Sequence, residues 1–474
     1  MGMLGKRRPA RMSRQRISSD STIESSTKDR TSINRAETSG ANPDDAGQYE
    51  VDILRLAHDG RGIARNASGK TLFVNQVLPG ERVKVAIHRS RKRFDEAHPR
   101  ELITPSADRI SPPCPHYAQC GGCDLQHLAL EAQRRHKCDV LIDQLARQGI
   151  TLSLPPRLLA GKGFGYRRRA RLGVKVDAKG RVHLGFRARG SHYLVDIGEC
   201  PILAPSLSAL LGPLRECLDH LQAPRQVGHI ELLVGDHGAA VVIRQLRTNL
   251  DDAKRWRQWA DAHGVALGLL QGRQDPVLEW VGKAPRLSYT PKSGHRDLEL
   301  YIAPGDFLQI NAEINQALVT CALEWLTPHK DERVLDLFAG VGNFSLALAP
   351  QVANLLSVEG SLAMVERLRG NARYNDLNNI EARMGDLNQP PPLDSRPHSV
   401  VLDPPRGGAE TVCRTLAKSE VERILYVSCD PATLSRDALH LVEGGYHITR
   451  AAVADMFVQT AHLEAMLLFE RSPA

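Results

Sequence analysis

The sequence predicts an α/β protein with a C-terminal Rossmann-like domain, an N-terminal OB-like β-barrel and a central α+β region. After Tyr301, apolar strand patterns alternate with helical patterns to the end of the chain, which is typical of a doubly wound sheet. Between Tyr49 and Thr104, short β-like runs alternate with Gly-rich turns, which indicates a small barrel. The 474 residues are too many for a single core. We therefore expect four segments, at 1–46, 47–106, 107–300 and 301–474.

The composition favours an intracellular protein that binds a polyanion. Lys and Arg number 62 against 54 Asp and Glu, which gives a net charge of +8 and a pI of about 9.0. No apolar run approaches the roughly 18 residues that a membrane helix needs. The nine cysteines are unevenly placed and do not suggest a secreted disulfide framework. We expect a cytoplasmic protein without membrane contact.

Residues 1–46 are predicted to be a disordered basic tail, because they contain few apolar residues to offset the entropy of ordering. The first 17 residues carry six basic side chains and no acid. This stretch is either a solvated tail, which we favour, or a nucleic-acid-binding arm. It has no apolar h-region, so we expect no secretory signal, and its acidic residues disfavour a transit peptide.

The barrel is predicted from evenly spaced runs at Val51–Leu54, Thr71–Val74 and Arg82–Ile87. The segment His88–Phe94 is basic with one aromatic residue, which indicates a hairpin tip in contact with RNA, although a solvated face has the same composition. The pattern resembles the TRAM domain, a barrel found on RNA-modifying enzymes.

Three cysteines form a compact motif in which Cys114, Cys120 and Cys123 surround a Gly-Gly turn. Glycine lets a backbone fold around a metal or cluster, so the three thiols can converge. Cys200, followed by Pro201, is a fourth candidate on weaker grounds. Zinc or an iron–sulfur cluster fits this set, and the proline and the lack of histidine at zinc-finger spacing favour a 4Fe–4S cluster. The alternative is a set of scattered buried cysteines.

The central region carries an unusual density of arginine in strand-like segments, at Tyr166–Arg171 and Arg181–Arg189. Strand alternation places several of these arginines on one sheet face. Phe186 and Tyr193 are available there to stack on bases. We interpret this face as an RNA platform, with a solvated sheet face as the alternative.

A nucleotide site is predicted at the first strand of the C-terminal domain. The strand ends in a loop with Gly340 and Gly342, and Glu359 ends the next strand, 19 residues after Gly340. Such glycines allow close backbone approach at a helix N-terminus, and such an acid takes ribose hydroxyls. Ser345 replaces the third glycine of the dinucleotide motif, although a dehydrogenase would share the other features. Asp386, the Asp403-Pro-Pro-Arg406 turn and the later cysteine strand favour S-adenosylmethionine instead.

Cys429 follows the apolar run Ile424–Val427, and Asp430-Pro431 then begins a predicted helix. The thiol is therefore expected at the carboxyl end of a strand, where ligands of α/β sheets bind. A helix N-terminus beside it is expected to lower the thiol pKa. Position alone leaves two interpretations open, a nucleophile and a buried structural cysteine.

Five motifs occur in the order typical of one enzyme family. They are Phe307-Leu-Gln-Ile-Asn311, Asp336-Leu-Phe-Ala-Gly-Val-Gly-Asn-Phe344, Asp403-Pro-Pro-Arg406, Ser428-Cys-Asp-Pro-Ala-Thr433 and His462-Leu-Glu464. Over residues 49–470 the chain resembles the RNA uracil-C5 methyltransferases. It most resembles the 23S ribosomal RNA branch, since tRNA-specific members generally lack the barrel and the cysteines. Two departures are the long N-terminal tail and Val458, where the family commonly has proline.

The resemblance implies a fold, two cofactors and a set of site residues. The C-terminal domain would be a methyltransferase domain that binds S-adenosylmethionine through Gln309, Phe338, Asn343, Glu359, Asp386 and Asp403. Cys429 would be the nucleophile and Glu464 the base. A 4Fe–4S cluster would be held by Cys114, Cys120, Cys123 and Cys200.

The implied chemistry explains these residue types. Carbon 5 of uracil is a weak nucleophile, so the Cys429 thiolate adds to carbon 6 and converts the ring to an enolate that attacks the methyl group. Glu464 then removes the carbon-5 proton so that the thiolate can leave. The target base has to leave its stack to be reached.

Other functions remain as alternatives at this point. Within the family, they are the other 23S rRNA uracil-C5 site and tRNA. Outside it, they are an iron–sulfur redox or radical RNA-modifying enzyme and a non-catalytic RNA-binding factor. We expect 23S rRNA as the partner of a monomeric enzyme with no obligate protein partner.

Overall fold

A computed structural model describes residues 48–274, 276–294, 296–389, 393 and 396–471. The tail predicted for residues 1–46 lies outside them. Within these ranges no helix is both long and apolar enough to cross a membrane.

The first sheet has six strands in the order β1-β5-β6-β4-β3-β2. They are β1 Gln48–Asp52, β2 Arg55–Leu56, β3 Gly62–Arg65, β4 Thr71–Val74, β5 Arg82–Ser90 and β6 Phe94–Thr104. Its small core is aliphatic and includes Val51, Leu72 and Val83. Gly62 is needed for close packing, because a Cβ there would lie 2.4 Å from a Val77 methyl group. The predicted short strands and glycine turns are present.

The central region begins with a long helix and continues into a seven-stranded sheet of order β10-β9-β8-β11-β12-β13-β14. Its elements are α1 Leu130–Ala146, β7 Arg157–Leu159, β8 Arg169–Val176, β9 Val182–Arg187, β10 Leu194–Asp196, α2 Pro205–Ser208, α3 Leu211–Asp219, β11 Val227–Gly235, β12 Gly238–Gln245, α4 Leu250–His263, β13 Ala266–Gln271 and β14 Val277–Trp280. Two short two-stranded sheets follow, in which β15 Ser288–Tyr289 pairs with β18 Leu300–Tyr301 and β16 Lys292–Ser293 pairs with β17 Arg296–Asp297.

The C-terminal region is an eight-stranded sheet of order β21-β20-β19-β22-β23-β25-β24-β7. Its elements are α5 Ala312–Leu326, β19 Arg333–Leu337, α6 Asn343–Leu348, β20 Asn354–Glu359, α7 Leu362–Tyr374, β21 Ile380–Met384, β22 Ser399–Leu402, α8 Glu410–Leu416, β23 Arg423–Ser428, α9 Pro431–Glu443, β24 Tyr446–Ala454 and β25 Glu464–Arg471. Strands β19 to β23 are parallel, and the strand order reverses between β19 and β22. The predicted alternation of strands and helices is confirmed.

The outer strand of this sheet, β7, comes from the predicted central segment. Arg157, Leu158 and Leu159 pair in parallel with Ala452, Val453 and Ala454. The C-terminal sheet is therefore completed by a strand from outside residues 301–474.

Side chains of the parallel strands alternate between two cores on opposite faces of the sheet. Val334 and Leu425 belong to the core that contains α5 and α6, and Leu335 and Ile424 belong to the core that contains α8 and α9. Both faces are covered, so the edge at the strands' carboxyl ends is left for a ligand.

Candidate active site

All eight residues assigned to the cofactor and to catalysis line one cavity of about 1180 Å³. It lies at the carboxyl ends of the parallel strands, where the strand order reverses. The eight are Gln309, Phe338, Asn343, Glu359, Asp386, Asp403, Cys429 and Glu464. The structure thus gathers residues that are spread over more than 150 positions of sequence.

The glycine loop is tied to the acid of the next strand. The Glu359 carboxylate accepts hydrogen bonds from the backbone N–H of Gly340, at 3.0 Å, and of Ser361, at 2.9 Å. Gly340 and Gly342 have φ of +55° and +101°, where a side chain would be strained. These two hydrogen bonds therefore fix the position of the Glu359 carboxylate relative to the glycine loop.

Ser345, which replaces the third glycine of the motif, has a structural role. Its hydroxyl donates to Asp336 Oδ2 at 2.5 Å and lies 2.8 Å from the Ser357 hydroxyl. Asp336 is buried in β19, and burial raises its pKa to about 7. The serine therefore stabilises a buried acid beneath the cavity.

Asp403, directly after β22, lies within electrostatic reach of two other buried acids, Asp336 of β19 and Glu464 of β25. Desolvation in the cavity wall, together with the Asp336 charge, raises the pKa of Asp403 to about 7. Burial, and then the Asp403 charge, raise the pKa of Glu464 well above its usual value. Like charges in a desolvated site cannot all ionise together. The cavity consequently favours a cationic ligand.

Cys429 lies half-buried at the end of β23, in the predicted position, but its pKa moves in the opposite direction from the prediction. Burial first, and then the Glu464 carboxylate, raise the thiol pKa to about 11. The expected lowering of the thiol pKa by the helix N-terminus was wrong, because burial of the thiol is the largest effect on its pKa. The Asp430 carboxylate accepts from the N–H of Ala432 and of Thr433, both at 3.0 Å.

Arg406 is a site residue that sequence reasoning left without a role. The positive charge of its guanidinium lowers the pKa of the Cys429 thiol, against the larger effect of burial. Its position directly after Asp403-Pro-Pro is the feature of the sequence that could have indicated a place in the site. The cation favours the thiolate over the thiol.

Asn343 is held by two neighbours rather than by the loop alone. Its Oδ1 accepts from Tyr289 Oη at 3.2 Å and from Asn315 Nδ2 at 2.9 Å, and its Nδ2 donates to Asn315 Oδ1 at 3.0 Å. Tyr289 also lines the cavity and was not predicted.

Among the predicted residues, Asp386 is exposed at the rim of the cavity, where its carboxylate accepts hydrogen bonds from Asn388.

Phe457 and His462 complete the cavity near Cys429 and Glu464. Both belong to residues 455–463, which connect β24 to β25 and which we call the catalytic loop. Their rings contact edge to face, with centroids 6.0 Å apart. Phe457 was missed because nothing in its local pattern distinguishes it from a packing residue.

The four candidate cluster ligands gather in one place. Cys123 and Cys200 are buried in the central core, and Cys114 and Cys120 pack against it. Burial raises the pKa of Cys123 to about 12, with further contributions from the other three thiols. Nevertheless, the described part of the chain contains no group of three or more His, Cys, Asp or Glu that is arranged to hold a metal ion. An iron–sulfur site is therefore not established by this geometry.

The predicted RNA-binding side chains differ in their availability. Tyr193 is 73% exposed, with Lys175 Nζ 5.6 Å from its ring centroid. Phe186, in contrast, packs against the central core, and Phe94 of the predicted hairpin tip packs edge to face on Phe73. The prediction that Phe186 is free to stack was wrong, because its side of β9 faces inward.

Comparison with known proteins agrees with this site. A tRNA (uracil-5-)-methyltransferase family profile matches residues 289–387 and 393–472, and a TRAM domain profile matches residues 48–99. The 23S rRNA (uracil(1939)-C(5))-methyltransferase RlmD of Chromohalobacter salexigens is 55% identical over 99% of this chain and 96% of its own length. RlmD of Halomonas elongata is 53% identical over 98% and 96%. In fold, the chain resembles the Pyrococcus abyssi tRNA (uracil-54, C5)-methyltransferase, solved with S-adenosyl-L-homocysteine, with a TM-score of 0.70, 23% identity and coverage of 89% of this chain and 100% of that one.

Proposed function

This chain belongs to the tRNA (uracil-5-)-methyltransferase family, and on that premise we propose that it methylates carbon 5 of a uracil in 23S ribosomal RNA. The observation that carries the proposal is the convergence of all eight predicted residues on one cavity. The specificity of the RlmD relatives indicates uracil 1939 as the target.

S-adenosylmethionine, when bound, supplies the methyl group as part of a sulfonium cation. The cavity suits it on two grounds: Glu359 presents fixed carboxylate oxygens for ribose hydroxyls, and the repelling acids favour a positive charge. We assign its binding to Gln309, Phe338, Asn343, Glu359, Asp386 and Asp403.

Cys429 and Glu464 are positioned for the two halves of the reaction. Ser428 of β23 pairs with Ala465 of β25, and these two strands are antiparallel. Cys429, the next residue after Ser428, and Glu464, the residue before Ala465, therefore lie next to each other at the same end of the two strands. We propose that the Cys429 thiolate, favoured by Arg406, adds to carbon 6 of the uracil. Glu464, whose raised pKa makes its carboxylate a stronger base, takes the proton from carbon 5.

We propose that Cys114, Cys120, Cys123 and Cys200 hold a 4Fe–4S cluster. Support comes from the four thiols, which lie within electrostatic reach of one another. Its proposed role is to organise the cysteine motif and the adjoining RNA-binding surface rather than to transfer electrons.

The remaining proposals concern organisation and partners. We retain the four-segment division, with 1–46 as a basic tail, 47–106 as the barrel, 107–300 as the RNA-binding region and 301–474 as the catalytic region. Exposed Tyr193 and Lys175 are proposed to contact the ribosomal RNA substrate. We further propose that the protein acts as a monomer in the cytoplasm.

The direct test is transfer of a labelled methyl group from S-adenosylmethionine to 23S rRNA transcripts, followed by mapping of the labelled nucleotide. We expect one labelled uracil, at position 1939. Label at another 23S uracil, or in tRNA only, would replace the substrate assignment. No transfer to either RNA would refute the proposed function.

The rate of the reaction is expected to rise with pH. The Cys429 pKa of about 11 means that the thiolate fraction increases with pH throughout the neutral range. Single-turnover methyl transfer should therefore increase about tenfold per pH unit from pH 7 to 8.5. A rate that is constant or falls over that range would contradict this order of events.

A further inference from the structure

The catalytic loop, residues 455–463, has a backbone conformation that its own sequence does not enforce. Gln459 adopts φ +68°, in the left-handed region that non-glycine residues rarely occupy. Such conformations persist when surrounding contacts hold them. The loop carries Phe457 and His462 into the cavity and leads directly into Glu464.

The start of the loop is held by a buried ion-pair network from α1. Lys137 Nζ lies 2.7 Å from Asp455 Oδ1 and donates to the Phe457 carbonyl at 3.0 Å. Arg134 Nε donates to Asp455 Oδ2 at 3.2 Å, and its Nη2 donates to the Gly161 carbonyl at 2.6 Å. The Lys137 and Asp455 side chains are 0% and 1% exposed. Asp455 therefore lies between two cations, and removal of Lys137 leaves its buried carboxylate with Arg134 as the remaining ion-pair partner.

Three successive loop carbonyls each accept from a different donor of the central region. Lys137 Nζ donates to the carbonyl of Phe457, and Tyr166 Oη donates to the carbonyl of Val458 at 2.8 Å. The third, at Gln459, accepts from the N–H of Asp124 and of Leu125, both at 3.0 Å. These two amides immediately follow Cys123, so the cysteine motif also holds the loop.

The side chain of Gln459 is fixed as well. Gln133 Nε2 donates to Gln459 Oε1 at 3.0 Å, and Gln459 N–H donates to Gln133 Oε1 at 3.2 Å. Gln133 lies one helical turn before Lys137 on α1, so both residues face the loop from one side of the helix. Helix α1 and the cysteine motif thus form a clamp around residues 455–459.

We propose that Lys137 is a positioning residue for proton abstraction. By holding the start of the catalytic loop in place, it fixes the positions of Glu464 and Phe457 relative to the uracil. This rests on the proposed function. The elements that line the cofactor half of the cavity, the Gly340 loop and Glu359, lie outside the clamp. Loss of Lys137 therefore affects resolution of the protein–RNA adduct more than cofactor binding.

The test compares Lys137→Met with Arg135→Met, which removes an exposed cation from the same helix. In Lys137→Met we expect about tenfold faster amide exchange within residues 455–463 and about tenfold slower decay of the covalent adduct, with cofactor affinity within about twofold. Arg135→Met should match the wild type in all three measurements. A second variant, Lys137→Gln, keeps a hydrogen-bond donor for Asp455 and for the Phe457 carbonyl, and its loop should exchange more slowly than that of Lys137→Met.

The outcomes separate the possible explanations. Wild-type exchange in Lys137→Met would overturn the clamp. Equal losses in cofactor binding, methyl transfer and adduct decay would assign Lys137 to general stability and overturn its positioning role, as would failure of both variants to fold. If the wild type transfers no methyl group, the proposed function fails, while the exchange measurement still decides whether Lys137 holds the loop.

Discussion

Replacing Cys429 with alanine is expected to abolish methyl transfer, with a fall in rate on the order of 10⁴-fold or more. Without the thiolate, carbon 5 of the uracil is not activated, and the neighbouring groups Arg406 and Glu464 supply no alternative nucleophile. Cofactor affinity should stay within about twofold, because the Glu359-bound glycine loop is untouched. Rapid-quench transfer assays and calorimetric titration with S-adenosylhomocysteine measure the two quantities.

The matched control is Cys217→Ala, a half-buried cysteine on α3 outside the cavity. It should transfer methyl groups at the wild-type rate. Retention of transfer by Cys429→Ala would show that the reaction proceeds without a covalent intermediate at this residue.

Replacing Glu464 with glutamine is expected to trap the enzyme on its RNA. Glutamine keeps the size of the side chain but cannot accept the carbon-5 proton, so the methylated adduct with Cys429 forms and does not decay. Adduct resolution should slow by about 10²- to 10⁴-fold. A protein–RNA species that survives denaturing electrophoresis and carries the methyl label would report the trapped state.

Glu470→Gln, in the same strand but outside the cavity, is the control and should turn over normally. Glu464→Gln also removes a neighbouring negative charge that raises the Cys429 pKa, so adduct formation itself should not slow. Normal turnover without an adduct would remove Glu464 from the role of base.

Much of the site could be predicted from sequence because its parts obey local rules. A strand that ends directly before Cys429, with Asp430 as the cap of the following helix, specifies its own geometry within a few residues. The motifs at Gly340 and Asp403 likewise end their strands, so their meeting at one edge follows from parallel pairing.

What could not be predicted depends on contacts between distant segments. No pattern in α1 indicates that Lys137 pairs with Asp455, more than 300 residues later. The direction in which the Cys429 pKa shifts could not be predicted either, since it depends on burial of the thiol and on the nearby carboxylate of Glu464. The burial of Phe186 could not be predicted for a similar reason. The alternation of side chains along a strand assigns Phe186 to one face of the sheet, but it does not say which face packs against the core.

The place of β7 at the edge of the C-terminal sheet has a consequence for biosynthesis. Residues 157–159 leave the ribosome before their partners at 452–454, about 300 residues later in the chain. At typical synthesis rates that interval is roughly 15 to 60 s. During it, the unpaired backbone of β7 is open to non-native strand pairing. The native pairing of β7 forms only after residues 452–454 have emerged, so completion of this sheet depends on contacts of high sequence separation.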